Sequence, residues 1–410
     1  MSRRPLVHAS VIVAAWIAVA AAPSPGMAAT DSTAAVADSA YLRDVGDLVR
    51  DVLGRPPSPR VVIVPRPGLS LTVLPSFGYN ASAGFTVGAT MIVSGWLGDP
   101  TTTRISNGSV GTSYSTNKQF TVYFKGDALL PRDGWALKWD WRYLDTSQPT
   151  FGLGPTTDEQ TEYPMDFVLY RLSQAAYKRI GRSSTYVGMG YHFDLYDRIH
   201  DERAELGEAT PFSVYSGGTP EHTQSSGFSL GAVVDTRDHP SNASRGIYWN
   251  LSLRSNLHAL GSDVDHHSLW SDFRAHTKLP RGGRHVLAVW NWVWVTSGST
   301  PYLDLPAIGW DTYGRSGRGY LQGRIRGPQL GYLELEYRLR LTQHDMWGAV
   351  GFFSLTSASP DDGVFEAVDP AYGGGIRLKF NKRTKTNLAV DFGSAPRGKT
   401  RLFLGLQETF

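Results

Sequence analysis

The stretch Arg401-Leu-Phe-Leu-Gly-Leu-Gln-Glu-Thr-Phe410 alternates with period two: Leu402, Leu404, Leu406 and Phe410 fall on one face, and Arg401, Gln407 and Thr409 on the other. Successive side chains of a strand point to opposite faces, so this pattern predicts a strand with one apolar and one polar side. The period recurs upstream. Trp135, Leu137, Trp139, Trp141 and Tyr143 alternate with Ala136, Lys138, Asp140 and Arg142. Leu333, Leu335, Tyr337, Leu339 and Leu341 alternate with Glu334, Glu336, Arg338 and Arg340. Ile376, Leu378 and Phe380 alternate with Arg377 and Lys379, and Leu388, Val390 and Phe392 with Asn387, Ala389 and Asp391. A soluble sandwich also alternates, but its outer faces rarely repeat Trp and Leu on so many strands. Lipid outside and a wet, charge-laddered lumen inside account for both faces, so the expected fold is all-β, a transmembrane antiparallel β-barrel.

Composition agrees. Mean hydropathy is −0.25, the average of a lipid-facing residue alternating with a lumen-facing one. Aromatic residues make up 12%, with 12 Trp and 19 Tyr, which suits the girdles where a barrel meets the two membrane surfaces. The absence of cysteine excludes disulfides, thiolate metal sites and a lipoprotein anchor. A net charge of +3 is too small to argue for nucleic acid. Residues 1–29 read as a signal peptide: Arg3 and Arg4, then an apolar run from Ala9 to Ala22, then small residues around Gly26-Met27-Ala28-Ala29. The run is shorter than a membrane-spanning helix needs and ends at Pro23 and Pro25.

Residues 30–62 form an expected periplasmic segment. Within it Leu42, Val45, Leu48, Val49, Val52 and Leu53 recur at helical spacing, predicting an amphipathic helix over 39–53. Gly54, Pro56 and Pro57 stop it. The helix has two open readings: packed on the barrel floor, or lying on the inner leaflet or partly in the lumen. The barrel is expected over 63–410, with about sixteen strands starting near 69, 84, 105, 119, 134, 163, 183, 224, 246, 264, 283, 329, 346, 371, 384 and 400. An even count returns both ends of the sheet to one side. Short turns such as 131–134, 181–183 and 342–345 then fall on the periplasmic side, and the long connections 146–162, 196–223, 298–328 and 357–370 on the extracellular side. The turn between the first two segments, at Asn80-Ala-Ser-Ala83, reads equally as a kink.

The longest Gly- and Arg-rich loop is Gly314-Arg-Ser-Gly-Arg318-Gly319-Tyr320-Leu-Gln-Gly323-Arg324-Ile-Arg326-Gly327, followed by a strand carrying Glu334-Leu-Glu336-Tyr337-Arg338. This pairing of an Arg-Gly-Tyr tip with Glu-Tyr-Arg resembles the BamA, TamA and FhaC superfamily of outer-membrane barrels, also called bacterial surface antigens. Three further stretches resemble it: Asp235-Thr-Arg237-Asp238-His-Pro240 continuing to Gly246, Gly373-Gly-Gly375-Ile-Arg377, and the closing strand to Phe410. The resemblance implies that the loop 298–328 folds into the lumen and that Arg318 bonds to an inner-wall carboxylate. Glu336 is the expected partner, with Gly319 and Tyr320 completing the lock. It implies that Asp235, Arg237, Asp238, Pro240 and Gly246 shape a periplasmic turn. Phe410 is expected to be read by the barrel assembly machinery and then to sit in the periplasm-side aromatic girdle.

Two departures follow. Where the family carries Phe-x-Asp-x-Gly, this chain has Phe352-Phe-Ser354-Leu-Thr356, so Arg318 is expected to have one acidic partner rather than two. The residues between signal and first strand are too few for a POTRA domain, so a barrel-only member is expected.

No catalytic set emerges. Gly-x-Ser-x-Gly is absent, and His266 and His267, adjacent on a strand, face opposite ways and do not share a metal. No enzyme activity, cofactor or metal is expected. The leading functional expectation is protein or lipid translocation or insertion at the outer membrane of a Gram-negative bacterium. Expected partners are outer-membrane lipid, the assembly machinery and a second copy of the chain in a homodimer. The alternative is a passive porin or structural barrel, its anion-favouring lumen lined by Arg377, Lys379, Arg338, Arg340, Arg254 and Lys138.

Overall fold

The computed structural model describes residues 42–55, 67–80, 84–157, 161–280, 284–360, 365, 367–382, 385–406 and 408–410. The expected signal peptide 1–29 lies outside the described residues. Sixteen antiparallel strands form one sheet in chain order. They are β1 (Gly68–Asn80), β2 (Gly84–Trp96), β3 (Ser106–Ser115), β4 (Phe120–Leu129), β5 (Trp135–Ser147), β6 (Met165–Arg179), β7 (Thr185–Asp201) and β8 (Thr223–Asp235). The second half comprises β9 (Gly246–Asn256), β10 (His266–Lys278), β11 (His285–Gly298), β12 (Gln329–Arg340), β13 (Trp347–Ala358), β14 (Asp369–Asn381), β15 (Thr386–Ser394) and β16 (Arg401–Leu406). All sixteen starts fall within two residues of those read from the sequence. β1 and β2 pair as a hairpin through Asn80 and Gly84, so a turn and not a kink joins them.

Every strand exposes at least one large apolar side chain on the outside, from Leu69 on β1 through Trp141 on β5, Phe228 on β8, Leu335 on β12 and Leu404 on β16. The opposite faces carry buried charge: Asp194, Asp272, Glu334, Glu336, Arg377 and Asp391. In water this is inside out; across a bilayer it is the stable arrangement, because the lipid-facing side chains leave water while the ladder satisfies the backbone. No helix of the described residues is long and apolar enough to cross a membrane. Among the described residues no ladder joins β16 to β1; β16 pairs with β15 alone, through Leu388↔Leu406 to Gly393↔Arg401.

Among the described residues one helix precedes the sheet, α1 (Val45–Val52), against the expected 39–53. Asp44 caps it, its carboxylate accepting from Asp47 N while Asp47 accepts from Asp44 N, a reciprocal capping box. It sits at the short-turn end of the sheet: Arg43 N donates to His344 O in the β12–β13 turn, and Lys382 N, in the β14–β15 turn, donates to the Asp44 carboxylate. The long β7–β8 connection folds into two short helices, α2 (Glu202–Glu205) and α3 (Pro211–Ser216).

Candidate functional site

The segment between β11 and β12 enters the lumen and packs against its wall. Its ends form a ladder of their own: Ile308 N donates to Ile325 O, Gly323 N to Ile308 O and Gly327 N to Pro306 O. Tyr302, Leu305, Ile308, Tyr320 and Ile325 are buried against Trp290, Trp292, Tyr332 and Phe167 of the barrel wall. Arg326 ties the base down by donating to the Tyr302 and Leu303 carbonyls. At the turn before the tip, the Asp311 carboxylate accepts from Arg315 N, Ser316 N and Ser316 Oγ.

At the tip, Arg318 meets three carboxylates on two walls. Its Nη2 lies 2.5 Å from Glu334 Oε1 and 2.5 Å from Glu336 Oε2, and its Nη1 lies 2.7 Å from Asp391 Oδ2. Its guanidinium stacks on the Phe352 ring, 3.6 Å from the centroid. Glu334 and Glu336 are completely buried. A buried charge in this setting must be paired, and the planar fork of Arg suits several carboxylates at once. Gly319 takes a φ of +117°, where other residues are strained, and a Cβ there would press on Ser394 and Ala371. Gly393 on β15 leaves the matching gap: a Cβ there would lie 2.7 Å from the Arg318 carbonyl carbon. Tyr320 donates to the Pro370 carbonyl at 2.9 Å.

The structure brings Arg318, Gly319, Tyr320 and Glu336 together, and corrects the expected partner count. Arg318 has three acidic partners, not one. Ser354 leaves its hydroxyl without a partner, and Asp391, two strands further on, supplies the missing carboxylate. The alternation Asn387, Ala389, Asp391 already placed Asp391 inside. What the sequence hid was the register: Asp391 lies opposite Gly375, where a Cβ would overlap its carboxylate.

The network continues toward the end of the sheet that carries the short turns. Glu336 also accepts from Arg338 Nε at 2.7 Å, and Arg377 pairs with Asp391 and with Glu408 at 2.7 Å. Asn387 Nδ2 donates to Glu408 at 2.5 Å and Arg315 donates to the Glu408 carbonyl. Here a second expectation is corrected. Phe410 is buried in the lumen and not in the outer girdle: its ring lies 5.3 Å from Trp290, and its carbonyl accepts from Arg338 Nη2 at 2.7 Å. The strand ends at Leu406, so residues 408–410 leave the pleat and the alternation no longer dictates their side.

The β8–β9 turn closes the same end. Asp235 accepts from Arg237 Nε at 2.9 Å, and Arg237 Nη1 donates to the Pro240 carbonyl at 2.9 Å while its guanidinium covers the Tyr248 ring at 4.4 Å. Asp238 accepts from Ser244 N and Arg245 N, and Gly246, at a φ of +97°, passes where a Cβ would strike the Thr236 carbonyl. His239 is buried; burial, with Lys385 adding, pushes its imidazole down to about 3, so Nδ1 accepts from Ser241 N and Asn242 N. Glu408 N donates to Ser241 O and Arg338 Nη1 to Ala243 O, joining turn and tail.

The cations expected to make the lumen anion-favouring are paired: Arg338 with Glu336, Arg377 with Asp391 and Glu408, Arg254 with Asp194, Lys138 with Asp127, and Arg340 and Lys379 with Asp345. A cavity of about 280 Å³ remains between loop and wall, lined in part by Arg142, Arg274, Tyr248 and Trp270. Among the described residues no group of His, Asp or Glu could hold a metal ion. His266 is buried and His267 exposed, on opposite faces.

No protein-family profile and no curated protein sequence matches the chain. Solved structures do. The chain is similar to BamA from Haemophilus ducreyi lacking POTRA domains 1–3, at 14% identity and a TM-score of 0.52, covering 83% of this chain and 70% of that one. It is also similar to CdiB from Acinetobacter baumannii, at 12% identity and a TM-score of 0.53, covering 83% of this chain and 59% of that one. With the sixteen-strand sheet and its apolar outer surface, these likenesses show that the chain has the fold of the BamA/TamA/FhaC-like outer-membrane barrels.

Proposed function

We propose that this protein inserts or translocates protein or lipid at the outer membrane of a Gram-negative bacterium, without an enzymatic step, and that the loop tip Arg318-Gly319-Tyr320 is its lock. The observation carrying this reading is Arg318 bound to Glu334, Glu336 and Asp391 in a lumen that both the loop and the C-terminal tail enter. A passive pore needs an open path, whereas a barrel that moves a client needs a resting seal. Among the described residues β16 has no ladder on its far side, which favours the same reading, since a seam without a ladder is the easiest place for a barrel to part. In this proposal Phe410 is read by the assembly machinery before the tail tucks inward, and outer-membrane lipid surrounds the folded chain.

The test is conductance of the refolded full chain in planar bilayers beside Arg318→Ala. Near silence in the wild type and current bursts in the variant are expected. Steady, salt-proportional current through the wild type, unchanged in the variant, would instead identify a porin. A deletion strain with unaltered outer-membrane protein and lipid content would rule out the client-handling role.

A further inference from the structure

Helix α1 is docked the wrong way round for a helix in water. A helix on an aqueous surface buries its apolar stripe and exposes its charges. Here Asp47 is the buried residue, at 7% exposure, and its carboxylate meets Lys382 Nζ at 2.7 Å. Asp44, beside it, accepts from Lys382 N at 3.1 Å. Leu48, Val49, Val52 and Leu53 occupy the opposite arc and are all exposed, Val52 at 79%. At 100° per residue these four share one face, and Asp44, Asp47 and Asp51 share another. The polar edge is clamped to the barrel by charge-assisted bonds, and the apolar face is turned out.

The surroundings say what covers that face. The two turns holding α1 join β12 to β13 and β14 to β15. Near that end the outer surfaces of those strands expose Tyr337, Trp347 and Ile376, and Leu341 in the first turn is exposed too. These residues form the short-turn end of the lipid-facing belt, the end to which α1 is fixed. Arg50 and Arg55, both exposed, suit the phosphates found at that depth.

We propose that α1 is an interfacial helix whose Leu48–Leu53 face lies in phospholipid of the periplasmic leaflet while Asp44 and Asp47 clip it to Lys382. The clip holds the β14–β15 turn, next to β16, at a fixed depth. The proposal rests on the membrane-barrel fold and not on the translocation reading.

Because the chain has no cysteine, single-cysteine variants are clean. The full chain carrying Val49→Cys, Val52→Cys or Arg50→Cys is refolded into phospholipid nanodiscs, nitroxide-labelled and relaxed with oxygen or a water-soluble nickel chelate. Labels at 49 and 52 are expected to be relaxed severalfold more by oxygen than by nickel, with the reverse at 50. Nickel access at 49 and 52 would place the face in water. Protection from both reagents would mean that another part of the chain, or a second copy, covers it. Either result overturns the proposal. Lys382→Ala is the second variant: a more mobile label at Val52 supports the clip, and unchanged mobility refutes it.

Discussion

Arg318 is surrounded by carboxylates of unequal standing. Glu336 is bound by both Arg318 and Arg338, with Arg377 4.0 Å away, whereas Glu334 is bound by Arg318 and the Tyr332 hydroxyl. Glu336→Gln therefore leaves two guanidiniums short of a partner and should lower the urea midpoint of the refolded barrel more than Glu334→Gln. Arg318→Ala leaves Glu334 buried with only the Tyr332 hydroxyl, while Glu336 keeps Arg338 and Asp391 keeps Arg377, and stranding a buried charge in this way should cost about 3–5 kcal/mol in the same measurement. Ser354 sits directly across the ladder from Glu334. Restoring the family's acid with Ser354→Asp would put two carboxylates on facing positions, and like charges there repel. Because Asp391 already fills the role, this variant should lower the midpoint; a gain in stability would show that Asp391 is no replacement.

At the scale of elements, the lock depends on a loop tip lying flat on β15. Gly393→Val puts a methyl-bearing Cβ against the Arg318 backbone while leaving every charged partner in place. The expected result is a loop open to added protease between Gly314 and Gly327, with current bursts like those of Arg318→Ala. An intact loop would mean that β15 bends to accommodate the tip. The β8–β9 turn makes a pH prediction. His239 is held below its ordinary value of 6.5, so the unfolded chain binds a proton that the folded turn refuses. Stability supplied by neutral His239 is present above about 6.5 and is lost as pH falls toward about 3. The charged groups facing it are Lys385, Asp238, Arg237 and Lys379, which remain in His239→Gln. That variant should show a shallower fall in unfolding midpoint across the window than the wild type.

For the whole molecule, the β11–β12 loop and the C-terminal tail are not separate plugs. Asp391 bonds both Arg318 and Arg377, and Arg377 holds Glu408. Mutations at the two ends should therefore couple, as residues within one bonded network do. Removing residues 408–410 in the Arg318→Ala background should give larger and steadier single-channel current than the summed effects of either change alone. Strict additivity would indicate two independent seals.

The sequence by itself determined about sixteen strands and, on those with clear alternation, which face meets lipid, because an apolar-polar period of two has one low-energy solution in a bilayer. The Arg318–Glu336 pairing was legible only through the family resemblance, since inward parity marks Glu334 and Glu336 alike. Tertiary structure alone decided that Asp391 stands in for the aspartate missing at Ser354, because partners on different strands meet through register. It decided that Phe410 turns inward, because parity holds only while the pleat lasts and β16 ends at Leu406. It decided, too, which way α1 faces: an amphipathic helix has two sides by sequence, but the lysine that chose between them, Lys382, comes from the far end of the chain. Periodicity is written within a strand or a helix; the pairing of charges across a lumen is written only when the sheet curls round to bring them together.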